Sequence, residues 1–266
     1  MVNIGIIGCG QWGFNHLRIF FQMPNCKVLI CCDADTKRLE AIKKMYPHLK
    51  TTNNYKEILK RKDIQAVVVA TPTATHYKIV KDCLVSHKDV FCEKPMSASP
   101  KETKELLGLS KRLKKILMIG YVFVFNPGII ELRNLIKSGK LGNIYYLCSA
   151  RTNLGPIRND VNVVWDLACH DVSILWFLLG KSPIEVTAKG GIFLQKGVDD
   201  VVFASLTYPG NILCNIHASW LEPRKIREII VVGNLKMARW ADLDTVAPIT
   251  IYDKNVPMRL DRKSVV

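Results

Sequence analysis

Gly8-Cys9-Gly10-Gln11-Trp12-Gly13 is a G-x-G-x-x-G run that directly follows an apolar segment and opens a helical pattern. In such a run the first glycine permits a tight turn, the second lets a diphosphate approach the backbone, and the third lets helix and strand pack closely. The helix start then faces the diphosphate with free N–H groups and a partial positive charge. These six residues read as a dinucleotide-binding loop. The next apolar segment ends in Cys31-Cys32-Asp33, where a carboxylate can accept from the adenine-ribose hydroxyls, which points to NAD. Asp35 remains available to cap the following helix, and Lys37 and Arg38 are near enough to receive a 2′-phosphate, so NADP stays open.

Two more clusters follow strand-like segments. Thr71-Pro72-Thr73-Ala74-Thr75-His76 stands either at a ligand edge or simply at a helix start, and Thr71, Pro72, Thr73 and His76 are assigned to the cofactor side. In Glu93-Lys94-Pro95 the proline biases Lys94 away from helical geometry, so the lysine projects off a strand end. A loop lysine is usually solvated, but one beside a nicotinamide can orient a hydroxyl and ease its deprotonation. Further on, Trp165-Asp166-Leu167-Ala168-Cys169-His170 places a carboxylate and an imidazole four residues apart on one helix face, either as a structural polar pair or as reacting groups. Arg151 and Arg158 can hold an anion bidentately or lie on a solvated loop. No pattern suggests a metal site.

The elements that must position these residues alternate at first. Strands are predicted at 2–7, 27–32, 66–70, 89–92 and 116–119, with helices from Trp12 to Pro24, 35–46, 55–62, 75–86 and from Ser99-Pro100 onward. Continuous apolar strands between helices indicate a parallel sheet covered on both faces. Residues 1–120 are therefore a doubly wound α/β domain. Past Asn126-Pro127 the rhythm changes to a helix (128–138), a strand (143–152), a loop, a long helix (163–179), then strands at 184–193, 200–208, 212–220, 225–232 and 236–241. Residues 121–266 read as an α+β domain with an open, mainly antiparallel sheet, period two being plain in Ile212, Cys214, Ile216 and Ala218.

Composition bounds what the chain can be. At 266 residues, 48% hydrophobic and 23% charged, it has the balance of two folded domains. The best membrane-span candidate, 163–179, contains Asp166, His170 and Asp171, which would be costly in lipid, so no membrane role is expected. The start has no basic region of the signal-peptide kind, and nine cysteines without a C-x-x-C pair suggest reduced thiols in a cytoplasm. The net charge of +15 suits anionic small molecules or nucleic acid. The basic runs at 43–44, 60–62 and 111–115 lack aromatic interleaving and read as solvated helix faces, so nucleic acid is not the expected partner.

Taken together, Gly8 to Gly13, Thr71 to His76, Glu93-Lys94-Pro95, Asn126-Pro127 and the helix with Asp166 and His170 resemble the Gfo/Idh/MocA family of NAD(P)-dependent oxidoreductases. The resemblance implies a Rossmann domain, a second domain whose sheet forms a homo-oligomer interface, and hydride exchange with a carbon of a sugar, inositol or related molecule. It implies that His170 is general acid/base, Lys94 orients the hydroxyl, Asp166 partners substrate or imidazole, and Glu93 and Lys94 adjoin the cofactor. The segment 153–166 is similar to nucleotide-sugar members of the UDP-N-acetylglucosamine (or uronate) 3-dehydrogenase kind, which implies Tyr121, Asn153, Arg158 and Trp165 as substrate-facing positions and C3 as the reacting carbon. Oxidation of a free sugar or inositol is the enzyme alternative; a non-catalytic dinucleotide-binding sensor or subunit is the other. Relatives continue for some tens of residues past Asp253 with closing helices, whereas 260–266 here is a polar tail, so uncovered sheet surface is expected either to meet a partner chain or to be an aggregation liability.

Overall fold

The computed structural model describes residues 1–253 apart from Pro156 and Asn159. Short runs of β-branched residues become the inner strands of the first unit, Met1–Gly120. Val2–Ile7 (β1), Cys26–Cys32 (β2), Ala66–Val69 (β4), Asp89–Cys92 (β5) and Leu117–Ile119 (β6) pair in parallel, and Lys50–Thr52 (β3) adds an edge. The order is β3-β2-β1-β4-β5-β6. The strand at Lys50–Thr52 was not expected; three residues are too few to carry an alternation, and only pairing with β2 defines them.

Helices Gln11–Gln22 (α1), Thr36–Met45 (α2), Lys56–Lys60 (α3), Thr73–Val85 (α4) and Pro100–Leu113 (α5) connect the strands. The apolar residues divide into two clusters, one containing Ile6, Leu17, Cys31 and Ile42, the other Val67, Val69, Val80, Leu84 and Leu106. Two of the starts have a side-chain cap. Asp35 accepts from the Lys37 N–H at 2.9 Å, and Ser99 caps α5 ahead of Pro100. Helix α4 begins two residues before its expected start, directly after Pro72.

The second unit opens at Tyr121. Asn126 caps Pro127–Lys137 (α6), its side chain accepting from the Gly128 N–H at 2.9 Å. The sheet comprises Ile144–Leu154 (β7), Glu185–Gly191 (β8), Val201–Tyr208 (β9), Ile212–Ser219 (β10), Leu221–Gly233 (β11), Met237–Ala241 (β12) and Ile249–Tyr252 (β13), in the order β13-β12-β11-β7-β10-β9-β8. It is mixed, because β7 and β10 run parallel while the other pairs are antiparallel. Strand β13 was not expected, and β11 begins four residues earlier than its apolar run suggests.

Helix α6 and Cys169–Leu179 (α7) bury Ile129, Leu132, Leu135, Ile174, Leu175 and Leu178 with Leu147, Ile216, Trp220 and Trp240. The alternate residues of the strands point the other way. Phe203 and Leu213 are more than half exposed there, at 54% and 52%, and the Phe203 ring stacks on His217 at 4.4 Å. The expected single helix over 163–179 is two elements, since Val164–Ala168 forms a π-turn before α7. Apolar spacing does not reveal that extra residue in the turn.

Candidate functional site

In the first unit the glycine loop is built almost wholly from backbone. Gly8 has φ +91°, and a Cβ there would come within 2.5 Å of the Ala70 carbonyl oxygen. A Cβ on Gly13 would collide with the Gly8 carbonyl oxygen, so the third glycine is what allows α1 to lie against β1. A Cβ on Gly10 would meet nothing nearer than the Arg38 guanidinium, at 3.5 Å. Gly10 caps α1 without any side-chain hydrogen bond, and the first turn contains no acid, as an approaching diphosphate requires. Gln11 and Trp12 are exposed at this helix start.

Asp33 is buried at the end of β2. Its Oδ2 accepts from the Cys9 N–H at 2.6 Å and its Oδ1 from the Asp35 N–H at 2.8 Å, so the carboxylate is fixed against the glycine loop. Each oxygen retains a further lone pair for a ribose hydroxyl. Arg38 Nη1 stands 3.5 Å from Asp33 Oδ2, and Arg38 Nε 3.5 Å from Asp35 Oδ2. The chemistry of this carboxylate fits an NAD ribose, whose hydroxyls Asp33 would hold. The Cys9 thiol is pushed well up by its hydrogen bond with Cys31 and by burial, which keeps it protonated and inert beside the loop.

Several residues assigned to the cofactor side also brace the loops that carry them. His76 is 1% exposed, and its ring nitrogens face two backbone carbonyls, Nδ1 that of Pro95 at 2.8 Å and Nε2 that of Thr71 at 2.7 Å. The imidazole thus ties the loop after β4 to the loop after β5 and offers no nitrogen to a cofactor. Thr75 Oγ1 donates to Thr71 Oγ1 or the Pro72 carbonyl, each at 2.7 Å, and Thr73 is buried in the first turn of α4. Glu93 is likewise buried, with Oε1 2.7 Å from His16 Nε2, while its Oε2 accepts from the Lys94 N–H at 3.3 Å.

Sequence reasoning missed His16. It lies on α1 three residues after Gly13 and one before Leu17, both buried, and its ring meets Phe91 edge-on at 4.9 Å. A polar residue on the inward face of an apolar helix was the available signal. The result is that Lys94, half-buried before a cis Lys94–Pro95 peptide, leaves the carboxyl end of β5 from a loop held on both sides, by Glu93 and by His76.

In the second unit the π-turn carries Asp166, and His170 follows in the first turn of α7. Asp166 Oδ2 accepts from the Trp220 indole N–H at 3.1 Å, and Oδ1 lies 3.5 Å from Arg158 Nη1. His170 is 8% exposed, with its ring edge-on to Phe123 at 5.0 Å. Arg158 reaches the Asp166 carboxylate through Nη1 at 3.5 Å. Its fork, however, already engages Asp160, at 2.8 Å from Nε and 2.6 Å from Nη2, and that bond pushes the guanidinium pKa up. Bidentate capture of a diphosphate therefore requires displacement of Asp160.

Arg151 is no anion ligand. It is 2% exposed, donates to Asp171 Oδ2 at 2.9 Å, and lies over the Phe123 ring at 4.3 Å, while Ser149 Oγ donates to Asp171 Oδ1 at 2.8 Å. Asn153 donates to the Gly155 carbonyl, so its amide shapes the turn after β7. The Trp165 N–H is held by Asn162 Oδ1 at 3.3 Å, and Tyr121 is half-buried at the start of the second unit. Among the described residues no group of three or more His, Cys, Asp or Glu could hold a metal ion, and no helix is long and apolar enough to cross a membrane. The expected tail, 260–266, lies outside the described residues, as do Pro156 and Asn159 of the segment 153–166.

Two family profiles match this architecture: "Oxidoreductase family, NAD-binding Rossmann fold" over residues 2–121 and "GFO/IDH/MocA C-terminal domain" over 129–239. The chain belongs to the Gfo/Idh/MocA family. Its first unit is that family's NAD-binding Rossmann fold. Among similar proteins is an uncharacterized oxidoreductase, YrbE, of Bacillus subtilis (strain 168), 27% identical over 81% of this chain and 66% of its own length. An inositol 2-dehydrogenase of Rhizobium meliloti (strain 1021) is 28% identical over 75% of this chain and 61% of its own. The chain thus spans less than two thirds of these Gfo/Idh/MocA relatives. In fold it is also similar to UDP-N-acetylglucosamine 3-dehydrogenase of Acidithiobacillus ferrooxidans, with a TM-score of 0.83 at 22% identity over 95% of this chain and 80% of that one.

Proposed function

We propose that this chain is an NAD-dependent dehydrogenase that moves hydride between nicotinamide C4 and a ring carbon of a sugar-type substrate, most specifically C3 of a nucleotide-linked sugar. The observation that carries the reading is the half-buried carboxylate of Asp166 and the buried imidazole of His170, four residues apart across the junction of the π-turn and α7. NAD, when bound, supplies the hydride acceptor. His170 takes the proton of the reacting hydroxyl during oxidation and returns it during reduction. In the first unit the Lys94 ammonium can donate to a substrate hydroxyl oxygen and stabilise negative charge that develops there. Asp166 orients the hydroxyl or the imidazole.

Support for the nucleotide-sugar assignment comes from the likeness of 153–166 to such members and from the Arg158 cation beside Asp166. A free inositol is the second reading, favoured by relatives named inositol 2-dehydrogenase. The deciding experiment follows absorbance of reduced nicotinamide with NAD and a panel of UDP-sugars, free sugars and inositols. Turnover on UDP-sugars with inhibition by UDP supports the first reading, and turnover on inositol without UDP inhibition supports the second. NADH binding with silence across the panel overturns both in favour of a sensor or subunit.

The chain is further proposed to self-associate through the outer face of its second sheet, in a reducing compartment such as the cytoplasm. Phe203 and Leu213 expose apolar area there. Phe203→Asp should lower the oligomeric mass in size-exclusion chromatography with light scattering, and an unchanged mass would remove this face from the interface.

A further inference from the structure

Trp220 is 0% exposed, in the link between β10 and β11, and its side chain has one polar atom. That atom, the indole Nε1, donates to Asp166 Oδ2 at 3.1 Å. An indole can donate and cannot accept, so the bond has one direction and cannot be exchanged for another by a shift of protons. The buried residue is also anchored through its backbone: its N–H donates to the Asp200 carbonyl at 3.0 Å, and its carbonyl accepts from the Gly155 N–H at 3.2 Å.

The backbone under Asp166 is held from the same place. Asn162 Nδ2 donates to Asp199 Oδ2 at 3.2 Å, the Val163 N–H donates to the Asp199 carbonyl at 3.0 Å, and the Asp166 N–H donates to the Asn162 carbonyl at 3.0 Å. Asp199 and Asp200 therefore fix both the start of the π-turn and the backbone of Trp220. The buried Asp200 carboxylate secures that point by accepting from the Phe193 and Leu194 N–H groups at 2.6 and 2.8 Å. One end of the Asp166 carboxylate is pinned and the other, Oδ1, turns toward Arg158.

We infer that Trp220 is a positioning residue for the proposed reaction: its indole N–H fixes the plane of the Asp166 carboxylate so that Oδ1 is the oxygen presented to the substrate hydroxyl or to His170. The inference rests on the dehydrogenase reading. Without the N–H the carboxylate loses its anchor on Oδ2, and with the Arg158 contact on Oδ1 as long as 3.5 Å its terminal torsion, for which preferences are broad, is set less narrowly.

The test is a double-mutant cycle on the substrate that the wild type turns over. Trp220→Phe should lower kcat about 10- to 100-fold, the range for losing a hydrogen bond to a charged group. In an Asp166→Asn background the same change should cost less than about twofold, since the oriented charge is already gone. NADH affinity should be the same in all four proteins. Because Trp220→Phe also shrinks a buried ring, the companion protein carries benzothienylalanine at position 220, which keeps the bicyclic shape and lacks the N–H. It should reproduce the kcat loss with an unchanged Tm. Equal losses in both backgrounds, or full kcat with benzothienylalanine, would overturn the inference while leaving the dehydrogenase reading intact. A wild type without turnover on any substrate overturns that reading and this inference with it.

Discussion

The glycine loop of the first unit and the π-turn of the second both present chemistry at the start of a helix, yet they are made differently. The loop is defined by what is missing: Gly8, Gly10 and Gly13 lack side chains where a turn, a ligand and a neighbouring strand need the space. The π-turn is defined by what is added from afar, with Trp220 on the carboxylate of Asp166 and Asp199 on Asn162. A site shaped by absent atoms is written locally in the sequence. A site held by distant partners is written only in the contacts.

The largest effects should separate chemistry from cofactor binding. Lys94→Ala and His170→Ala should each lower turnover by about 10²- to 10⁴-fold while the NADH dissociation constant from fluorescence titration stays unchanged. A collapse of NADH affinity in either variant would reverse the roles given to the two units. Next, the second unit should depend on its buried charges: Arg151→Ala leaves Asp171 uncompensated at 1% exposure and should cost about 3–5 kcal/mol in urea unfolding. If that loss were under about 1 kcal/mol, the contrast between a side-chain-built and a backbone-built site would fail.

Gly13→Ala should destabilise the first unit by about 3 kcal/mol, because the new Cβ meets backbone that cannot move aside. Gly10→Ala is its counterpart and the smallest in stability. It should leave the urea midpoint within about 0.5 kcal/mol of wild type, since only the tip of Arg38 is near. It should nevertheless weaken NADH binding, because the Cβ occupies the diphosphate's approach. Equal destabilisation by the two alanines would show that the glycines share one structural role.

Much of the site was legible for the reason this contrast supplies. Asp33 is placed by the end of a strand and Lys94 by the proline after it, both local facts. Chain position put His76 at the ligand edge, but it could not show that its ring faces the carbonyls of Thr71 and of Pro95, nineteen residues away. Arg151 and Arg158 looked alike as loop cations, and burial against Asp171 parted them.

The sequence by itself determined the alternation of strand and helix, the dinucleotide loop, the period-two strands of the second sheet and the Asp166–His170 spacing, because each depends on neighbours within one or two turns. The tertiary structure alone decided the parallel pairing of β7 with β10, the π-turn, the His16–Glu93 pair and the indole on Asp166. Their partners lie up to 77 residues apart. A buried polar atom takes whichever partner the packed core brings within 3 Å or so, and no local pattern specifies which one that will be.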